Sequence, residues 1–400
     1  MFEAFKHRNF VYAWIGQAVS ALGDSAYQLT LNWIVASLFG TAKVMALVQL
    51  FTAVPTAISR PFAGKFIDKW GKKRALILSN CMMFILMSMF SIILSHGVRL
   101  TDLLIFVSLF GIFSSTIEPA FFAYVPELTA NKDLESANSL IMFLYSITGI
   151  IGPILAAFSM LVLGKLSSVW FNSATFLIAA IFTCFVAIRS VNNLRQKQSS
   201  ASFVEALTWI LRNNWATRIY VTESLANLLL GLFWALFPVE LYNYSNSDIL
   251  NFGSAYTMIY LGATIATIIS GFLLKKLNDR GAIAYLSIVL LSSSILGLGY
   301  SSLMLTYILA FILGVSLPWF NIVSHQSLQE GAPREMLGRI TAFGSLLTTV
   351  TRLLAFLLII IFNKPQLSIH ITAITLSIMA ITFIFTRSRS TQPERVSASL

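Results

Sequence analysis

The chain has 400 residues, of which 57% are apolar and only 11% are charged, and this composition excludes an ordinary soluble protein. A helix that crosses a bilayer needs about 20 predominantly apolar residues, so a chain of this length has room for roughly twelve. Both cysteines lie in apolar runs, which argues against a disulfide framework, and we expect neither a bound metal nor a cofactor.

Apolar residues are concentrated in twelve runs, six on each side of a polar stretch. The runs cover residues 10–38, 41–63, 75–95, 101–125, 137–163, 167–189, 218–242, 251–274, 282–301, 303–324, 337–363 and 366–386. With one helix in each run, the sequence predicts an all-α membrane protein with twelve transmembrane helices.

The chain divides into two halves that echo each other. We predict a first six-helix half at 1–189, a linker at 190–217, a second six-helix half at 218–386 and a tail at 387–400. The charged loops after the second and fourth runs recur after the eighth and tenth, about 200–210 residues later. Duplicated halves of this kind place a substrate site between them, near the membrane midplane.

A short amphipathic helix is predicted within the linker. Phe203, Ala206, Leu207 and Ile210 recur at helical spacing, so they share one helix face. We expect this helix to lie on the cytoplasmic surface as a tether between the halves, with a regulatory role as the alternative.

The formal net charge of +11 invites a nucleic-acid interpretation, but its distribution argues against one. With the N-terminus in the cytoplasm, 21 lysines and arginines fall on the cytoplasmic side of the predicted helices and four on the other side. Basic residues concentrate on the cytoplasmic side of membrane proteins. We therefore expect both termini in the cytoplasm and no nucleic-acid partner.

The loop Gly64–Arg74 packs five cations and one acid into the turn between the second and third runs. Its spacing, Gly-x-x-x-Asp-x-x-Gly-x-Lys-Arg, resembles the cytoplasmic loop signature of the major facilitator superfamily. In that family the loop acts as a latch between the two halves. The resemblance implies a conformational latch made by Gly64, Asp68, Gly71, Lys72 and Arg74, whereas a merely basic, orienting loop is the alternative.

Polar residues share one face of the first predicted helix. Gln17, Asp24 and Gln28 are spaced seven and four residues apart. A charge near the bilayer centre costs at least about 2.5–3.5 kcal/mol, so such residues are often functional. We interpret Asp24 as a protonatable group lining a central cavity; a structural acid bonded to a neighbouring helix is the alternative.

Two glutamates are further candidates for proton coupling or substrate contact. Glu118 precedes Pro119 in the fourth run, and Glu223 lies in the seventh. Asn227 and Trp234 continue the Glu223 face, and we place both in the substrate cavity.

Arg352 should lie deep in the eleventh helix, where a buried arginine needs an acidic partner or an anionic ligand. We assign Arg352 and Asn321 to the substrate cavity, with a structural ion pair as the alternative for the arginine. Arg60, beside Pro61, should reach the membrane interface.

Gly149, Gly152 and Pro153 lie in the fifth predicted helix, which they should weaken locally while allowing close packing. They resemble the antiporter signature of drug exporters in the same superfamily. Its two closing glycines are replaced here by Ala156 and Ala157, and a simple packing kink is the alternative.

Several motifs along nearly the whole chain resemble the branch of macrolide-efflux proteins and the enterobactin exporter, among them Arg8–Phe10, Ser20–Asp24, Val125–Leu128 and Gly338–Arg339. The resemblance implies alternating access that exports an amphipathic small molecule, a drug-like compound or siderophore, in exchange for protons. One departure is that the fourth predicted helix has no arginine, so the proton relay of many drug antiporters cannot be carried over.

A lysophospholipid transporter of the same fold is an alternative function. No nucleotide-binding or hydrolytic motif appears, so we do not expect an enzyme, although a membrane-embedded enzyme or sensor is a third possibility. We expect a monomer in the lipid bilayer of a bacterial inner membrane.

Overall fold

The computed structural model describes residues 2–187, 203–245, 248–276, 280–298, 302–333 and 336–362, together with 370, 373 and 374. Thirteen α-helices and no strand are found in these ranges. The helices are α1 (Arg8–Phe39), α2 (Ala42–Trp70), α3 (Lys72–Ser95), α4 (Leu100–Ser114), α5 (Ile117–Leu128), α6 (Leu134–Leu163), α7 (Ser167–Cys184), α8 (Phe203–Arg212), α9 (Asn214–Tyr244), α10 (Ile249–Lys276), α11 (Arg280–Leu298), α12 (Leu303–Gly331) and α13 (Leu337–Phe362).

Nine helical segments within the described ranges are long and apolar enough to cross a membrane, with α4 and α5 counted together. A shorter apolar segment of α11, Ile283–Leu298, adds a tenth candidate. The 32-residue α1 is not among them, because its polar residues lower its hydropathy. The twelfth predicted helix lies outside the described residues, apart from 370, 373 and 374.

The fourth predicted helix is not continuous, which differs from the sequence expectation of one helix over 101–125. It is divided at Ser115 and Thr116 into α4 and α5. Pro119 explains the break, because proline lacks the N–H group that would bond the Ser115 carbonyl and its ring clashes with that carbonyl. At the break, the Ser115 hydroxyl donates a hydrogen bond to the Ile112 carbonyl at 2.7 Å.

The helices form two groups, one in each half, and the two groups also pack against each other. In the first half α7 packs on α1 and α3, and in the second half α12 packs on α10 and α11. Small residues allow close approach: a Cβ added to Gly314 of α12 would lie 2.0 Å from the Ile259 carbonyl oxygen of α10. Between the halves, α6 packs on α10 and α2 packs on α13.

The first half has a basic end, defined as the end where α1 begins, α2 meets α3, and α5 and α7 stop; the opposite end is the far end. Polar contacts join these helix termini at the basic end. They are Lys72 with Glu127 at 2.5 Å, Lys73 with the Cys184 and Val186 carbonyls, His7 with Asp133 at 2.8 Å, and Asn9 with the Ala187 backbone. The first half is therefore held together at its basic end by contacts that do not involve the second half.

Helix α8 lies in the stretch that the sequence analysis assigns to the linker, and it packs on the second half. Ala206 and Ile210 are buried in a cluster with Tyr220 of α9, Leu328 of α12 and Ile340 of α13. This cluster fixes α8 to the end of the second half where α9 and α13 begin. The linker residues before α8 lie outside the described part of the chain.

Candidate functional site

The two halves touch along the part of the bundle nearer the far end. Asn32 of α1 donates a hydrogen bond to the Tyr256 hydroxyl of α10 at 3.0 Å. The Trp33 and Tyr242 rings, from α1 and α9, pack edge to face with centroids 5.7 Å apart. Thr257 donates to a backbone carbonyl of α6 at 3.3 Å. Because α1 and α9 end at the far end and α10 begins there, these contacts close the far end.

Among the described residues, the latch loop predicted from the sequence forms no hydrogen bond or ion pair with the second half at the basic end. Asp68 is exposed, and it forms no hydrogen bond or ion pair with any residue that the structure describes. A Cβ added to Gly64 or Gly71 would meet no atom within 4 Å, and Arg74 is exposed. Lys72 pairs with Glu127 of its own half. In this conformation the latch loop is not engaged with α13, so its assignment as a latch stays a prediction.

Helix α13 carries two different exposed faces. One face is apolar and consists of Leu346, Val350, Leu354, Leu357 and Ile361. The opposite face is polar, is exposed or half-buried, and consists of Thr341, Ser345, Thr348 and Arg352. The apolar face suits lipid, and the polar face suits water. A polar stripe thus runs along α13 from the basic end to about its middle.

Arg352 lies at the inner end of this polar stripe, near the middle of α13. Its Nη2 donates to the Asn227 Oδ1 of α9 at 3.1 Å. A Cβ added to Gly231 would lie 3.4 Å from Arg352 Cγ, so the arginine side chain runs beside the glycine toward Asn227. No acid pairs with Arg352 among the described residues. The structural ion pair considered from the sequence is absent there, and a neutral amide takes the place of the acid.

The other candidate residues of α9 lie on both sides of Asn227. Glu223, one turn earlier, is 6% exposed, and its backbone carbonyl accepts from Asn227 Nδ2 at 2.9 Å. Trp234 is half-buried, and its ring packs 5.9 Å from that of Tyr256. The structure therefore brings Glu223, Asn227 and Arg352 into one region and places Trp234 beside the far-end contact.

Asp24 lies at the middle of α1, against α7. Its Oδ1 accepts a hydrogen bond from Asn172 Nδ2 at 3.3 Å, and Asn172 Oδ1 accepts from Thr175 at 3.0 Å. Gly23 allows this approach, since an added Cβ would lie 2.2 Å from Thr175 Oγ1. The Tyr27 hydroxyl, nearly one turn further, is buried without a partner among the described residues. A carboxyl with one neutral donor and no described ion pair has no cation that would hold it charged.

Two of the other candidate residues, Gln17 and Glu118, lie around Tyr145 of α6 together with Asp24. Gln17 lies beside the Tyr145 hydroxyl of α6, which also interacts electrostatically with Glu118. Glu118 is exposed in the first turn of α5, and Gln28 is exposed on α1. Asn321 of α12 is exposed, and it bonds to no residue in the described ranges. These residues do not form one cluster with Arg352.

Gly149 and Gly152 allow α6 to pack closely on α10 and α1, in the region where the two halves meet. Gly149 faces Tyr260 of α10, whose ring would lie 2.7 Å from an added Cβ. Gly152 faces Ser25 of α1 at 2.4 Å by the same measure. Helix α6 continues through Pro153 without a break. The motif thus lies where α6 meets both α1 and the second half.

Two partners in this region were missed by sequence reasoning. Asn172 could have been found, because it is a polar residue within an apolar run, as Asp24 is. Tyr145 gave no signal, since tyrosine is common in such runs and at membrane interfaces.

Comparisons with known proteins agree with this architecture. The family model described as Major Facilitator Superfamily matches residues 13–356. The chain is 23% identical to the staphyloferrin A transporter of Staphylococcus aureus, covering 80% of this chain and 81% of that protein. It is 24% identical to macrolide efflux protein A of Streptococcus pyogenes, covering 83% and 84%. A crystal structure of a bacterial homologue of the iron transporter ferroportin in the inward-facing state superposes with a TM-score of 0.74 at 17% identity, covering 96% and 99%. The chain belongs to the Major Facilitator Superfamily.

Proposed function

We propose that this protein exports an amphipathic small molecule, such as a drug-like compound or a siderophore, in exchange for protons. The observation that carries the proposal is an asymmetry between the two ends of the bundle. The halves contact each other toward the far end, in the Asn32–Tyr256 region, whereas the polar stripe of α13 is exposed or half-buried from the basic end to Arg352. A path that opens to one side at a time is what alternating access requires.

Direction follows from the distribution of charge. The basic end carries the α2–α3 loop with five cations, and the 21-to-4 ratio places that end in the cytoplasm. With this orientation, the exposed end of the polar stripe of α13 faces the cytoplasm, which is the side from which an exporter takes up its substrate. We place the protein as a monomer in a bacterial inner membrane, with both termini cytoplasmic.

The names of the relatives support export of small molecules. One relative is a staphyloferrin A transporter and another is a macrolide efflux protein. At 23–24% identity they indicate a class of substrate and do not name the compound.

Asp24 is the group that we propose carries the coupled proton. It lies at mid-membrane, about 24 Å along α1 from Arg8 at 1.5 Å per residue. Its single described donor is the Asn172 amide, so the carboxyl can be protonated without leaving a cation unpaired. Protonation in one orientation and release in the other would couple the proton gradient to substrate movement.

The test is uptake into everted membrane vesicles, with erythromycin and staphyloferrin A as the compounds. We expect uptake that depends on a proton gradient and that a protonophore abolishes. Asp24→Asn should abolish gradient-driven uptake but keep equilibrium binding, because the amide preserves size and most hydrogen bonding. Asp102→Asn is the matched control, since this half-buried acid only caps α4 at the far end.

Several outcomes would overturn parts of the proposal. Full gradient-driven uptake by Asp24→Asn would remove that acid from the coupling role. Uptake of both compounds without any proton-gradient dependence would refute the coupling itself. Movement of a lysophospholipid but of neither compound would instead indicate the lipid transporter of the same fold.

A further inference from the structure

Arg352 is a cation at membrane depth whose charge is not neutralised by the surrounding side chains. At 1.5 Å per residue it lies about 22 Å along α13 from Leu337 and about 15 Å from Phe362, which is near the middle of a bilayer. A charged side chain at this depth costs at least about 2.5–3.5 kcal/mol. A merely structural arginine would be expected to recover that cost by pairing with an acid, and none pairs with it in the described ranges.

The side chain also does not escape to the lipid surface. The lipid-facing stripe of α13, which includes Val350 and Leu354, lies on the opposite side of the helix. Arg352 instead continues the polar stripe of Ser345 and Thr348, which is accessible from the basic end. Arg352 therefore lies on the polar side of α13, which we assign to the substrate path.

Helix α9 holds the guanidinium in place but leaves most of its donors free. Gly231 provides room for the aliphatic part, as its missing Cβ would lie 2.6 Å from the Ala355 Cβ and 3.4 Å from Arg352 Cγ. The Asn227 amide oxygen then accepts from one nitrogen, Nη2, at 3.1 Å. A guanidinium has five N–H donors arranged in a planar fork, which matches the two oxygens of a carboxylate.

Glu223 does not occupy this position. It lies one turn of α9 before Asn227 and is 6% exposed, yet it forms no described ion pair with Arg352. Asn227 bonds the arginine through its side-chain oxygen, and its side-chain nitrogen donates to the backbone carbonyl of Glu223, not to the Glu223 carboxylate. The fork of the arginine remains available to an external anion.

We propose that Arg352, oriented by Asn227 and Gly231, binds a carboxylate group of the transported molecule, so that amphipathic carboxylates are the substrate class. This inference rests on the proposed function, because it takes the bound molecule to be the one that is transported. The binding itself can be tested without a proton gradient. The apolar body of such a ligand would lie toward the half-buried aromatic Trp234, about two turns of α9 beyond Asn227.

The experiment compares two fluorescent probes that differ only at the predicted contact. Dansylglycine carries a carboxylate, and dansylglycinamide carries a neutral amide on the same ring system. Binding of each to the full-length protein in nanodiscs is followed by dansyl fluorescence, in the wild type, Arg352→Gln and Arg352→Lys. Arg60→Gln is the matched control, because Arg60 is an exposed arginine of another helix, α2.

In the wild type we expect the carboxylate probe to bind at least about tenfold more tightly than the amide, the ratio expected of a charge-assisted hydrogen bond. Arg352→Gln should remove that preference and leave amide binding unchanged, while Arg352→Lys should keep part of it because the charge remains but the fork is lost. Arg60→Gln should behave as wild type. A wild-type protein that binds neither probe, or both equally, overturns the proposal even if no variant folds. An undiminished preference in Arg352→Gln also overturns it.

Failure of this inference and failure of the proposed function are distinguishable. Proton-driven uptake of erythromycin together with equal binding of the two probes would refute the carboxylate site and leave export intact. Arg352-dependent binding of dansylglycine without gradient-driven transport of any compound would support the site and refute proton-coupled export.

Discussion

The buried hydrogen bond between Asn32 and Tyr256 should set the balance between the two conformations of the transporter. It joins α1 to α10 at 3.0 Å, and both side chains are at most 3% exposed. The bond is made by Asn32 Nδ2, and Asn32 Oδ1 has no partner in the described ranges. Tyr256→Phe would leave the whole Asn32 amide buried and unpaired, at a cost of about 1–3 kcal/mol in the conformation where the far end is closed.

That cost applies to one conformation only. When the halves separate at the far end, Asn32 meets water and loses nothing through the substitution. The equilibrium should therefore move about 5- to 150-fold toward the conformation that is open at the far end.

Distance measurements between spin labels can detect this shift. Lys43 at the start of α2 and Asn243 at the end of α9 are exposed at the far end on different halves, and each can carry a label on an introduced cysteine. The native Cys81 and Cys184 are first replaced by alanine. We expect Tyr256→Phe to lengthen the label distance or to populate a second, longer distance.

Tyr307→Phe is a matched control. Tyr307 also bonds an asparagine, Asn251, at 3.0 Å, but both residues belong to the second half. Its removal should cost less, because both residues are half-buried, and it should not move the halves apart. Identical distance distributions in Tyr256→Phe and the wild type, or equal shifts in Tyr256→Phe and Tyr307→Phe, would refute the assignment of the Asn32–Tyr256 bond as a far-end gate.

Two further predictions concern the basic end. Asp68→Asn should slow transport at least about tenfold, because a latch bond would form only when the basic end closes. It should leave the spin-label distances of the conformation closed at the far end unchanged, because Asp68 has no described partner in that conformation. Lys65→Gln should do less, since the loop has four other cations; normal efflux by Asp68→Asn in cells would contradict the latch. Cysteines introduced at Lys132 and Lys165, which are exposed at opposite ends, test the orientation. An impermeant thiol reagent applied to intact cells should label Lys165→Cys and spare Lys132→Cys, and the reverse pattern would invert the topology.

Features that depend on local sequence were predictable. Runs of apolar residues define helices because each run must match the thickness of a bilayer, whatever lies beside it. The amphipathic spacing of Phe203, Ala206, Leu207 and Ile210 was enough to predict α8, because helical periodicity is a local property. The division of the fourth helix was also encoded locally, by Pro119, although the sequence analysis expected a continuous helix.

The partners of the charged groups were decided only by the tertiary structure. The sequence indicated that Asp24 and Arg352 needed partners, but it could not show that Asp24 accepts from Asn172, 148 positions away, or that Arg352 donates to Asn227, 125 positions away. It could not show either which end of the bundle is closed. Hydropathy and charge are sums over neighbouring residues, whereas a hydrogen bond between helices depends on how each helix is rotated and how closely it packs. In this protein those two quantities are fixed by contacts such as Gly23 against Thr175 and Gly231 against Ala355, which only the folded chain brings together.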